Sequence, residues 1–325
     1  MNDQHTDPAA PIYAALVLGS DSFRLLVASY RDGVPLALDG EHVPLRLAAS
    51  LDASGCLSQD AMRDALDCVA RLRERLRARP PAAVRAVATS TLRMARNAHL
   101  FLPAAQQTLG IDIRVLSGEE EALLTWLGVA GAAPRGSRPL VLGIGGGSTQ
   151  FALGQGMRVT RAGSVALGTV RQALTFFGNG RIDAVSFAAA VSSARVRLAD
   201  HAADYGPAVR DCVYGASGTV RTLARLAREN GADCRADCGA DRDTGAGSVD
   251  RSGLEQLAAR VLEHAGGGRP LAGLGRLLPR DVAAALAILI ALMEELDIGT
   301  LLESNAGLRH GLLHDLHRQR EPLPA

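Results

Sequence analysis

A chain of 325 residues, 47% hydrophobic and with a formal net charge of +1, is long enough for two domains and carries no overall field that would draw it to nucleic acid or a membrane. All 35 basic residues are arginine, so any anion clamp here uses guanidinium forks, and with aromatics at 3% the packing falls to aliphatic side chains and alanine. The cysteines, Cys56, Cys68, Cys212, Cys234 and Cys238, are odd in number and scattered, which argues against a disulfide framework. Cys234 and Cys238 lack the second pair that a zinc site needs. The first residues are polar with no apolar h-region, and the longest apolar run, 282–293, is too short to cross a bilayer, so a cytoplasmic protein is expected.

In chain order, 12–18 and 23–30 read as two strands of a hairpin around Gly19, Ser20, Asp21 and Ser22, with a third strand over 34–47. Ser58 is an N-cap for a helix running to 80. A strand over 84–89 delivers Thr89, Ser90 and Arg93 at its C-terminal end, where ligands gather in α/β folds. After a strand over 111–116, Ser117 and Glu120 have capping-box spacing and Glu119 suits the positive end of a helix dipole; Glu121 is explained by neither. The Gly/Pro/Arg/Ser stretch 134–139 is the expected domain boundary.

Residues 140–151 repeat the opening theme: an apolar run, Gly145, Gly146 and Gly147, the hydroxyls Ser148 and Thr149, then apolar residues again. Glycines in such a turn leave no Cβ to block a ligand, so backbone N–H groups can converge on an anion. No Gly-Lys-Ser/Thr follows and the next element is a strand, so this is neither a Walker A loop nor a dinucleotide fingerprint. Gly19 superposes on Gly145 and Ser22 on Ser148. A strand over 158–166 and helices over 168–177 and 185–198 follow. Gly215, Ser217 and Gly218 form a third small-residue loop entering a helix over 220–228. Residues 230–250 read as a surface excursion, 282–296 as a buried helix, 300–303 as a strand, and 308–318 as a helix whose His310, His314 and His317 share an exposed face.

These motifs, with Ala88 to Arg93, Asn97, Val115 to Ala122, Ser164 to Gly168, and Asn305 to Arg309 with Gly311, resemble the exopolyphosphatase/guanosine pentaphosphate phosphohydrolase (Ppx/GppA) family. The resemblance implies an α/β fold of duplicated, actin-like (ribonuclease H-like) domains with a cleft between them. The first would cover 12–133, with the helix 308–320 packing back on it, and the second 138–307. It implies that Gly19, Ser20, Ser22, Arg93, Gly145, Gly146, Gly147, Ser148, Thr149, Gly215, Ser217 and Gly218 bind phosphate, and that Glu121 is the general base.

The family also places acids in its hairpins, and here Val17, Gly143 and Gln150 stand in their places. Asp21 stands where the family has asparagine, and Asp21 and Gln150 are the remaining candidates for a Mg²⁺ ion. The expected function is hydrolysis of a terminal phosphoanhydride of polyphosphate or a guanosine polyphosphate, weakened by the loss of metal ligands. The alternative is a binding or sensing module without turnover; an actin-like ATPase or sugar kinase is disfavoured because those also need the strand-end acids. A homodimer is expected.

Overall fold

The computed structural model describes residues 11–31, 33–156, 158–232 and 247–320, which form two compact units. The chain through Ser117, together with the residues from Arg309, makes the first, and Gly118–Leu308 makes the second. Cys234 and Cys238, and with them the zinc question, lie outside the described residues.

The first unit opens with a meander of β1 (Ile12–Leu18), β2 (Ser22–Arg31) and β3 (Val34–Pro44), antiparallel throughout. Helix α1 (Gln59–Ala78) leads to β4 (Ala83–Ala88), which pairs parallel with β1; the short α2 (Ser90–Met94) and α3 (Ala98–Leu109) lead to β5 (Ile113–Val115), parallel to β4. The sheet order is β3-β2-β1-β4-β5. Ser58 caps α1 by accepting the Ala61 N–H (3.2 Å), and Asp60 in the first turn with Arg75 and Arg77 in the last complements the helix dipole. The core joins Leu16, Leu18, Phe23 and Leu25 of the meander to Val69, Leu72 and Phe101 of the helices. Asn97 ties the entry of α3 to Leu57, accepting its N–H (2.8 Å) and donating to its carbonyl (2.9 Å).

The second unit begins with α4 (Gly118–Val129) and repeats the meander as β6 (Pro139–Ile144), β7 (Thr149–Gln155) and β8 (Arg158–Val165). Then come α5 (Thr169–Phe177), α6 (Ala184–Leu198), α7 (Ala202–Tyr205), β9 (Cys212–Gly215), α8 (Gly218–Glu229), β10 (Ser248–Asp250), α9 (Arg251–Ala265), α10 (Pro279–Glu295) and β11 (Thr300–Glu303). Its sheet runs β10-β11-β9-β6-β7-β8, with β9 parallel to β6 as β4 is to β1. The same three antiparallel strands followed by a parallel neighbour thus occur once per unit, the duplicated α/β plan of the actin-like fold. Helix α10 is buried from Val282 to Met293, which is why its sequence is apolar all round. The last helix, α11 (Leu308–Arg320), lies in the first unit from Arg309 onward.

Two expectations change. The boundary falls before α4 and not in 134–139: Ala122, Trp126 and Val129 of α4 bury against Val141 and Ala152 of the second sheet, and a Cβ on Gly154 would meet Trp126 Cζ2 at 2.6 Å. The histidine face of α11 is not solvated. His317 stacks on Tyr30 (centroids 4.0 Å apart, 14° between planes) and meets Tyr13 edge-on, while His314 packs edge-on against Tyr30 at 5.6 Å. Asp315 of the same helix pairs with Arg85 of β4 at 2.7 Å. Helices α2, α3 and α9 and the small α7 were not anticipated; α2 and α7 are short, whereas α9 does carry a regular apolar stripe of Leu254, Leu257, Ala258 and Val261.

Burial, and then the neighbouring His317, holds His314 below its ordinary value of 6.5. A histidine depressed in the folded state contributes stability above its unfolded pKa, and that contribution is lost as pH falls through and below about 6.5. Unfolding midpoints in urea should therefore drop between pH 7.5 and 5.5 in the parent, and His314→Gln should flatten that slope. A slope unaltered by the substitution would remove His314 as its source.

Candidate active site

Each meander turns through a glycine hairpin closed in the same way. The Gly19 N–H donates to the Ser22 carbonyl (3.1 Å), and the Gly145 N–H donates to the Ser148 carbonyl (2.8 Å). A Cβ on Gly19 would lie 2.7 Å from that Ser22 oxygen and one on Gly145 would lie 3.2 Å from the Ser148 oxygen, so close approach of backbone to backbone selects glycine there. Two residues beyond each serine, a polar side chain reaches back to its hydroxyl: Arg24 Nε donates to Ser22 Oγ (2.9 Å), and Gln150 Nε2 to Ser148 Oγ (2.6 Å). Arg24 faces Val17 across the first hairpin, as Gln150 faces Gly143 across the second. Arg24 was missed in the sequence; its signal is the spacing it shares with Gln150.

In the first unit, Ser20 and Ser22 are buried with Thr89, Ser90 and Thr91, an unusual concentration of hydroxyls in a core. Ser20 Oγ shares a hydrogen bond with Ser90 Oγ (2.8 Å) and accepts the Thr91 N–H (3.1 Å), which docks the start of α2 on the hairpin. Arg93, in the last turn of α2, donates to the Leu116 carbonyl at 2.6 Å. Arg24 is also the cross-strand partner of His42, and partial burial together with the Arg24 guanidinium pushes His42 below the usual imidazole range, against the opposing pull of Asp21. The hairpin end of the first sheet thus gathers Arg24, His42 and Asp21.

In the second unit, Thr149 and Gln150 are buried at the base of the hairpin, and Thr149 Oγ1 donates to the Leu167 carbonyl (2.7 Å). Glu121 lies in the first turn of α4 with Oε2 shielded from solvent; its carbonyl accepts from Thr125 Oγ1 (2.7 Å), and Thr125 Cγ2 stands 3.9 Å from where a Cβ of Gly143 would be. The Glu121 face of α4 therefore runs along the base of the second hairpin. At the end of β9, Gly215 has no room for a side chain, because a Cβ would meet Leu301 Cδ2 at 2.7 Å. Ser217 caps α8 by accepting the Val220 N–H (3.3 Å), and Gly218 is the first residue of that helix. The structure thus groups Gly19, Ser20, Asp21, Ser22 and Arg93 in one unit, and Glu121, Gly145 to Gln150, Gly215, Ser217 and Gly218 in the other.

The donor set does not fit a divalent ion held by the protein alone. Val17 and Gly143 offer no oxygen from a side chain, Gln150 offers a neutral one, and Asp21 is the one carboxylate among these four. Among the described residues no group of three or more His, Cys, Asp or Glu stands close enough to hold a metal.

Comparison with known proteins agrees with this architecture. The model of the Ppx/GppA phosphatase family matches residues 26–320. A guanosine-5'-triphosphate,3'-diphosphate pyrophosphatase of Vibrio campbellii is 34% identical over 312 residues, covering 95% of this chain and 60% of the relative; one of Vibrio atlanticus is 35% identical over 308 residues. The chain spans about 60% of the length of these relatives. Among solved structures, the Ppx/GppA family member of Aquifex aeolicus superposes with a TM-score of 0.75 at 22% identity, over 96% of this chain and 99% of the other. An exopolyphosphatase of Cytophaga hutchinsonii superposes with a TM-score of 0.79 at 20% identity, over 95% and 99%. With the family model spanning nearly the whole chain and both glycine hairpins in place, this protein belongs to the Ppx/GppA phosphatase family.

Proposed function

We propose that this protein binds inorganic polyphosphate or a guanosine polyphosphate and hydrolyses a terminal phosphoanhydride bond. The observation that carries this reading is the repeated hairpin, in which a Gly N–H to Ser carbonyl bond closes a turn too tight for side chains. Such a turn presents backbone amides to an anion without a Cβ in the way. Phosphoryl transfer asks little covalent chemistry of the protein; it asks for positioning and charge neutralisation. Backbone amides at Gly146 and Gly147 would hold phosphate oxygens in the second unit. Arg24 and Arg93 would neutralise charge in the first, each already steadied by a hydrogen bond within that unit. Glu121, its Oε2 shielded from solvent, would take a proton from the attacking water.

The test is phosphate release from polyphosphate and from guanosine pentaphosphate, beside a binding titration on the same preparation, with Mg²⁺ or Mn²⁺ supplied. Release above a protein-free blank is expected from at least one substrate. Tight binding with no release under any ion would identify a binding module instead, and neither binding nor release would contradict the proposal. Glu121→Gln should lower kcat by roughly a hundredfold or more while leaving binding in place. Equal activity in that variant would take the proton acceptor elsewhere. Arg93→Ala should weaken polyphosphate binding and reduce its salt dependence, since a charge-assisted contact is lost; unaltered affinity would free Arg93 from this role.

The replaced acids give a further prediction. Gly143 does not have a left-handed φ, and a Cβ there would lie 3.1 Å from Gln150 Oε1, the far end of a side chain that can move. Gly143→Asp should therefore fold. Gly143→Asp and Gln150→Glu, cross-strand partners in the second hairpin, should together give Mg²⁺-stimulated hydrolysis well above the parent, while either change alone does little, because one carboxylate rarely holds Mg²⁺. A folded, polyphosphate-binding double variant no faster than the parent would show that these two positions do not limit the rate.

A further inference from the structure

Behind each hairpin lies the segment that follows the third strand of its meander. In the second unit, the Thr169 N–H donates to the Gly145 carbonyl (3.0 Å) and the Val170 N–H to the Gly146 carbonyl (3.0 Å), so the first two amides of α5 hold two successive turn carbonyls. In a planar trans peptide the C=O of one residue and the N–H of the next point in opposite directions. With the Gly145 and Gly146 carbonyls held on the α5 side, the N–H groups of Gly146 and Gly147 are turned to the other side, and among the described residues neither meets a backbone acceptor in a turn or cap.

Two residues make this arrangement possible. A Cβ on Gly168 would fall on the Gly146 carbonyl oxygen and on Gly147 Cα, far inside contact distance. Gly168 has an extended φ of −134°, so the demand for glycine is steric and not conformational. Thr149, fully buried, clasps the same segment from the hairpin side through its hydroxyl on the Leu167 carbonyl (2.7 Å).

The first unit also holds its turn from behind, with unrelated residues and with the held carbonyls one position further along. The Ala48 N–H donates to the Ser20 carbonyl (2.9 Å), and those of Leu45 and Arg46 to the Asp21 carbonyl (2.9 and 2.7 Å). Arg46 adopts a left-handed backbone (φ 54°), unusual for a residue with a side chain. By the same peptide geometry the N–H groups of Asp21 and Ser22 are turned away from that backing segment. Two different sequences, one after β3 and one after β8, thus hold the carbonyls of corresponding turns.

We infer that Gly168 is a positioning residue for the second hairpin: its lack of a side chain lets the start of α5 hold the turn carbonyls from behind, which aims the Gly146 and Gly147 amides at a phosphate group. Thr149 serves as the clasp of this arrangement. The inference rests on reading the hairpins as phosphate-binding.

The experiment uses sodium tripolyphosphate as the probe, titrated calorimetrically into the 325-residue chain and its variants. Gly168→Ala should raise Kd by about tenfold or more, the scale of a lost hydrogen bond to a charged group. Thr149→Val should weaken binding in the same direction, and Thr149→Ser, which keeps the hydroxyl, should restore it. Gly154→Ala is the control for mere destabilisation: its Cβ would strike Trp126 and the Arg158 carbonyl at the far end of β7, so its melting temperature should fall with Kd unaltered. Parent-like Kd in a folded Gly168→Ala protein, or a Thr149→Ser protein no better than Thr149→Val, would overturn the inference. A parent that ignores tripolyphosphate would instead overturn the reading of the hairpins as phosphate sites. In that case the ligand-free ¹⁵N spectrum decides the positioning claim: Gly146 and Gly147 amide shifts displaced in Thr149→Val and restored in Thr149→Ser support it, and shifts common to all three proteins refute it.

Discussion

The direction of a few peptide planes decides what the two hairpins can bind. A glycine turn is only a flexible loop unless something fixes which of its backbone groups face outward, because carbonyls and amides present opposite charge to a ligand. Here the carbonyls are fixed from behind: those of Gly145 and Gly146 by the first amides of α5, and those of Ser20 and Asp21 by the chain after β3. The rest of each unit serves that arrangement. The antiparallel meander brings the third strand back beside the hairpin, so that the residues leaving it pass behind the turn, and the buried core fixes the meander.

Duplication has preserved this plan while letting the side chains diverge. In the first unit the residue reaching back to the hairpin serine is a guanidinium, Arg24, opposite Val17; in the second it is a neutral amide, Gln150, opposite a glycine. The first hairpin therefore contributes positive charge close to its serine and the second contributes mainly backbone amides. Glu121 lies with the second hairpin, in the same unit as Gly143 and Gln150, so the carboxylate assigned to water activation is built on the unit whose hairpin is the less basic. The guanidinium and the carboxylate proposed for water activation thus belong to different copies of one motif.

Much of this was legible in the sequence because it rests on local rules. The Ser58 cap, the two hairpins, the wholly apolar α10 and the glycine demanded at positions 19 and 145 follow from turn chemistry, capping and periodicity. What was not legible depends on contacts distant in the chain. The domain boundary moved ahead of α4 because Trp126 packs under β7, a contact that composition cannot reveal. The histidines of α11 looked solvated because their spacing is that of a helix face; the tyrosines that cover them, Tyr13 and Tyr30, come from the opposite end of the sequence. Arg24 escaped notice, and Gly168 was read only as part of a motif and a helix start, for the same reason: their roles are visible only once the partner strand or the turn behind them is in view. The hydroxyl of Thr149 looked like a ligand to phosphate in the sequence and in the structure is occupied by Leu167.

The central claim, that outward-facing amides of the glycine hairpins form the phosphate-binding surface, is tested most directly by titrating glycine-¹⁵N-labelled protein with tripolyphosphate and following each assigned amide. The account predicts that Gly146 and Gly147 shift most and in a saturable manner, while Gly145, whose N–H is already given to Ser148, and distant Gly154 move little. Saturable shifts centred elsewhere, with Gly146 and Gly147 unmoved, would contradict it.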